Sequence, residues 1–221
     1  MVWDRCGHTV PMGKTAAQRA AKHGLQAGQP RPGGPGPIPA GPQGKSSPGL
    51  LVIAGVVATL FLFWYLHLMV PGQLSQLANG LSMPDSMVFG YGEDHLAALR
   101  SAMDEEALGR LSYVHKTAGT LFPLIFGLTW LLIIGLNTQR RALRWVLFSA
   151  PILFVVADLW ENIAIDNALG AVELSSGDAA LAGTLTVARW ILLGLSLVAS
   201  VVSVFTRGVG RPPELVAQDK G

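Results

Sequence analysis

The stretch Trp145–Ile165, WVLFSAPILFVVADLWENIAI, decides the fold of this chain. About 20 predominantly apolar residues, rising 1.5 Å each, cross a bilayer core of roughly 30 Å. This stretch is long enough, and its only ionisable groups, Asp158 and Glu161, are gathered towards one end. Three more apolar stretches pass the same length test: Leu50–Val70, Ala118–Leu136 and about Leu181–Phe205. The predicted fold class is therefore all-α, an integral membrane four-helix bundle. Pro123 and Pro151 fall inside two of the spans, where a membrane helix accommodates proline as a kink.

Composition agrees with this reading. Of 221 residues, 50% are hydrophobic and only 14% charged, with a mean hydropathy of +0.42, whereas about a quarter of the residues in a soluble domain are charged. A single cysteine, Cys6, excludes an intramolecular disulfide framework or a cysteine zinc cluster, because either needs a second thiolate. Cys6 reads as a bystander thiol. The formal charge of +2 argues against a nucleic-acid partner.

Residues 1–49 read as a disordered, basic tail. Between Gly24 and Gly49, 15 of 26 residues are Gly or Pro, which leaves little to bury and no regular backbone. Arg5, Lys14, Arg19, Lys22, Arg31 and Lys45 face one acid, Asp4. The weakly helical stretch Thr15–Lys22 could touch anionic lipid, but a solvated tail is the plainer reading. The first span is not expected to be a cleavable signal peptide: the region before it and the apolar run are both too long, and Pro71-Gly72 lacks a small-residue cleavage pattern.

Charge sets the expected orientation. With four crossings, the tail, the Asn137–Arg144 turn and the segment 207–221 share one side, and together they carry 12 of the 16 Lys and Arg residues. The positive-inside rule then puts both termini in the cytoplasm of a cell whose plasma or inner membrane holds the protein. The loop 71–117, with six acids against Arg100, Arg110 and Lys116, and the loop 166–180, with three acids and no base, would face outward. Within the longer loop Leu96, Leu99, Met103, Leu111 and Val114 recur at helical steps with one missed turn. One or two amphipathic helices are expected there, lying on the membrane or capping the bundle. Ser101 and Asp104 carry a helix-start signal, with the helix from Glu105 running on towards the second span.

An ionisable group inside a span costs from about 2.5 to more than 10 kcal/mol, so it marks a partner, water or a function. Asp158, Glu161 and Asn162 lie three and four residues apart, on one helical face. Arg189 stands in the fourth span. Counted from the span ends, Asp158 and Arg189 are both roughly 10–12 Å below the outer boundary, and they can meet. The guanidinium fork suits a bidentate carboxylate. Two acids and one Arg leave a net negative charge, so the acid farther from Arg189 should take a proton or face a cation or water. His67 and His115 reach the same outer half. The inner halves of the spans carry no ionisable group, which favours a pocket open outward over a path through the bilayer.

The candidate ligand- or ion-binding residues are thus Asp158, Glu161, Asn162, Arg189, His67 and His115. His67 also reads as an interfacial histidine beside Trp64 and Tyr65. No cofactor and no metal are predicted; His67 and His115 are only weak candidates for metal ligands, because the i, i+4 spacing of a helical zinc pair is absent. Small residues four apart, such as Gly55 and Thr59, Gly119, Pro123 and Gly127, or Ser196 and Ser200, allow close helix approach. Trp64, Tyr65, Trp145 and Trp160 read as interface anchors.

The runs Tyr91-Gly-Glu-Asp-His-Leu-Ala-Ala-Leu-Arg, Glu106-Ala-Leu-Gly-Arg-Leu-Ser-Tyr113, Leu121-Phe-Pro-Leu-Ile-Phe-Gly127 and Ala157-Asp-Leu-Trp-Glu-Asn162 resemble a group of uncharacterised bacterial four-span membrane proteins. That group carries an Asp-x-x-Glu-Asn signature in its third helix. The likeness covers about Leu50 to Phe205 and implies topology without an activity. Three functions stay open. The first is a binding or transport protein whose outward site holds a small polar or amphipathic ligand or ion. The second is an enzyme acting on a lipid-like substrate, with Glu161 or Asp158 as base; it lacks a recognisable nucleophile, and the reading leans away from it. The third is a non-catalytic subunit or assembly factor whose buried charges serve folding. The implied partners are the lipid bilayer and either another membrane protein or a second copy.

Overall fold

The structure, a computed structural model, describes residues 47–207. The tail before Ser47, with Cys6 and Thr15–Lys22, and the segment after Arg207 lie outside the described residues. The first helix, α1 (Pro48–Trp64), starts two residues before the expected start of the first span at Leu50. It continues through a π-helical turn, Tyr65–Met69, into α2 (Val70–Leu77). Pro71 accounts for that turn: it donates no N–H and its ring crowds the carbonyl four residues back, at His67. The backbone responds with a wider loop, in which the Val70 N–H reaches the Tyr65 carbonyl.

A 3₁₀ turn (Pro84–Ser86) and two amphipathic helices, α3 (Glu93–Ala102) and α4 (Glu105–Lys116), fill the long loop. The cap of α4 is Asp104, whose carboxylate accepts from the Ala107 N–H at 2.8 Å. Ser101 plays no part in it, since its hydroxyl donates back to the Ala98 carbonyl inside α3. A single non-helical residue, Thr117, separates α4 from α5 (Ala118–Asn137). Then come α6 (Arg141–Gly170) and α7 (Ser176–Thr206), with Ser175 capping α7 by accepting from the Asp178 N–H.

Four helical segments, Pro48–Leu77, Glu105–Asn137, Arg141–Gly170 and Ser176–Thr206, are long and apolar enough to cross a membrane. The chain is an all-α, multi-pass membrane protein. Each helix outruns its predicted span, and the ends beside α3 and α4 are covered by protein. Leu96, Leu99, Met103 and Leu111, the loop positions picked out by periodicity, are buried together with Leu74, Ile165 and Ala182. So α3 and α4 cap the bundle.

Below this cap α6 and α7 form the most extensive helix pair, α5 packs on both, and α1 leans mainly on α5. Only Thr59 of α1 is buried, and Leu50, Ile53, Val57 and Leu60 are exposed, as lipid-facing side chains are. Apolar burial adds little between helices already in lipid, so close backbone approach matters more. Gly55 lies against Thr129, Gly127 against Val155, and Gly183 of α7 against the backbone of Tyr91. Gly90, next to Tyr91, has φ +80° and contacts Gly183 in turn. The loop before α3 is thereby pressed onto α7, at the level where the polar side chains gather.

Candidate functional site

Arg189 projects from α7 into the bundle and is 5% exposed. Its Nη1 donates to Asp158 Oδ1 at 3.0 Å, Nε lies 2.6 Å from Glu161 Oε2, and Nη2 donates to the backbone carbonyl of Asp85. The bidentate grip expected on one carboxylate is replaced by a fork divided between two acids and a carbonyl. The three-residue step from Asp158 to Glu161 presents the acids nearly one turn apart, so one guanidinium spans them. Neither acid turns away. Asp158 and Glu161 are 2% and 0% exposed.

The pair also lies deeper from the helix ends than the span arithmetic placed it. Asp158 stands twelve residues before Gly170 and Arg189 thirteen after Ser176, about 18–20 Å along each axis. Around it, Glu161 Oε1 accepts from the Thr186 hydroxyl at 2.6 Å, and the Tyr91 hydroxyl stands 3.5 Å from Thr186 Oγ1. Burial pushes the Tyr91 phenol well above its ordinary value. The guanidinium carbon lies 5.2 Å from the ring centroid of Trp190. On the side away from α3 and α4, Phe122, Phe126, Trp130 and Phe154 pack into a buried aromatic layer.

Asn162 shares the face of the two acids but not their partner. Its amide donates at 3.1 Å to the carbonyl of Gly119 on α5. A β-carbon at Gly119 would come 3.3 Å from the Asn162 amide nitrogen, so glycine permits the approach.

His115, 3% exposed, does not join Asp158 or Glu161 by a hydrogen bond. Its Nδ1 is 2.6 Å from Asp166 Oδ1 and its Nε2 is 3.2 Å from Asp85 Oδ2. The Ser112 hydroxyl donates to Asp166 Oδ2 at 2.8 Å. Burial by itself raises the carboxyl of Asp85, but the charge and hydrogen bond of His115, with the charges of Arg189 and His67, outweigh it. Asp85 is held well below the usual carboxylate range.

His67 packs inward among aromatic rings. While Trp64 and Tyr65 remain exposed, His67 stacks on Phe63 at 4.4 Å and meets Trp190 and Phe122 edge-on at 5.1 and 5.6 Å. The π-helical turn carries it inward. The two histidines therefore occupy different surroundings, and among the described residues no group of three or more His, Cys, Asp and Glu is arranged to hold a metal ion.

Asp85 connects two clusters. Its carbonyl receives Arg189 and its carboxylate receives His115, so a polar chain runs from Asp158 to Ser112. Asp85, Asp166, Ser112, Thr186 and Tyr91 were not among the residues singled out by sequence. Asp166 was within reach, because extending the helix past Ile165 puts it four residues after Asn162. Asp85, in a short 3₁₀ turn of the long loop, carried no such signal.

A cleft of about 530 Å³ opens between α4–α5 and α6. Its polar wall includes His115, Lys116, Asn162, Asp166 and Asn167, and Leu159 and Ile163 form an apolar side. A second, larger groove of about 740 Å³ lies between α2 and α4, near Gln73, Arg110 and Tyr113. Asp158, Glu161 and Arg189 line neither. Family models, curated proteins and solved structures were compared with the chain, and none matches.

Proposed function

We propose that this protein is a binding- or transport-type protein of the plasma or inner membrane, with both termini cytoplasmic and a small polar or amphipathic ligand held at its outer end. The observation that carries this reading is the 530 Å³ cleft whose polar wall, through His115 and Asp85, is hydrogen-bonded to the buried Arg189 cluster. Its size falls in the range of small-molecule sites. In this reading Asp158, Glu161 and Arg189 hold α6 against α7 and position the loop around Asp85, while Lys116, Asp166 and Asn167 meet the ligand.

An enzyme is the less favoured alternative. Both ring nitrogens of His115 face carboxylates, and the Ser112 hydroxyl is committed to Asp166, so neither is placed as a free base or nucleophile. The enclosure of the Arg189 trio supports, as a second reading, a non-catalytic subunit or assembly factor whose buried charges serve folding.

The test is native mass spectrometry of the protein purified in mild detergent, with Thr120→Trp as a cleft-filling variant. The expected result is a small molecule or lipid retained one to one by the wild type and lost from a folded Thr120→Trp protein. Equal retention by both would remove the cleft from the reading, and no retained species would remove the reading.

A further inference from the structure

We infer that the cleft beside α6 takes a zwitterion bearing a primary ammonium and a phosphate or carboxylate, and that its physiological form is the ethanolamine headgroup of a membrane phospholipid. This rests on the binding reading above and names the ligand class. Along α6 the cleft residues Leu159, Asn162, Ile163, Asp166 and Asn167 recur at three- and four-residue steps, so they form one stripe. The stripe is apolar at depth, with Asn162 turned aside to Gly119, and polar at its outer end. Ile163 is 59% exposed and Trp160, beside the stripe, is 53% exposed, as side chains that face lipid are. Asp166 follows directly on the apolar span that ends at Ile165, which puts the polar end at headgroup level. A ligand with a charged head and acyl chains matches that polarity from end to end.

Charge selects the head. An ionised carboxylate offers about four lone-pair sites. Ser112 and His115 occupy one on each oxygen of Asp166, leaving roughly two for an ammonium with three N–H donors. Across the cleft the exposed Lys116 supplies a cation for the phosphate, and the exposed Asn167 supplies an amide donor. A choline head carries the same charge but no N–H to give, and a glycerol head carries no cation to meet Asp166. Free amino acids or phosphoethanolamine share the head chemistry and lack the chains.

Delipidated protein is titrated with phosphatidylethanolamine, phosphatidylcholine, phosphatidylglycerol and soluble phosphoethanolamine, and binding is read by native mass spectrometry. Phosphatidylethanolamine should bind at least tenfold more tightly than the other two lipids. Asp166→Asn should reduce that preference, and Lys116→Glu, at an exposed position that leaves the Asp166 anchors intact, should weaken binding tenfold or more. Phosphoethanolamine binding as tightly as the lipid would assign the site to a soluble zwitterion and overturn the lipid source. If phosphatidylglycerol or phosphatidylcholine binds equally well, and Thr120→Trp still abolishes that binding, the ligand class is wrong and the binding cleft survives. If no probe binds, and no retained species is found in the purified protein, both fail.

Discussion

Replacing Arg189 by Met tests whether the buried charge cluster holds the bundle together. The substitution keeps a flexible apolar side chain but strips the partner from Asp158 and Glu161, at 2% and 0% exposure, and from the carbonyl of Asp85. Removing one member of a buried ion pair costs about 3–5 kcal/mol, mostly the penalty of leaving the other charge unpaired. The orphaned carbonyl adds about 1–3 kcal/mol. A loss of at least about 3 kcal/mol is therefore expected, more than a hundredfold in the folding equilibrium. Arg189→Met combined with Asp158→Asn and Glu161→Gln should regain most of it, since neutral groups carry no such penalty. The assay is reversible unfolding in mixed micelles followed by tryptophan fluorescence, with Trp190 beside the cluster as one reporter and monodisperse yield as a control. A single substitution costing under about 1 kcal/mol, or a triple variant no more stable than the single one, would refute the reasoning.

Two other outcomes follow from the strap over α7. Gly183→Val places a branched side chain where the Tyr91 backbone now lies. It should cost about 1–3 kcal/mol by overpacking and raise protease or thiol-reagent access at residues 82–92, measured by limited digestion or labelling of a Ser86→Cys reporter. Asp85 has a lowered folded-state value, so its contribution is complete above its unfolded value of about 4 and fades as pH falls below that. Asp85→Asn should lower stability at pH 7 and flatten the acid limb of a stability profile between about pH 5 and 3; an unchanged limb would mean that Asp85 does not carry it.

The sequence reached the Arg189 cluster through cost and depth. Charges inside apolar spans are few, and two of them at matching depth on adjacent helices have little choice but to pair. It did not reach the division of the guanidinium between both acids. Nor did it reach the inward turn of His67, because the register change caused by Pro71 cannot be read from an apolar run whose residues all suit lipid. His115 was singled out for its level in the bilayer, yet its partners Asp85 and Asp166 come from a loop and from a helix extension beyond the apolar window.

By itself, then, the sequence determined the membrane class, the four long apolar helices, the amphipathic helices of the long loop and the acids and Arg that share a level, because length, hydropathy and helical period are local properties. The tertiary structure alone decided that Asp85 links two polar clusters, that the Arg189 trio is enclosed, and that the open cleft lies beside Asp166. Those depend on helix rotation and on where an irregular loop comes to rest, and both are settled by close packing at Gly119 and Gly183 between segments far apart in the chain.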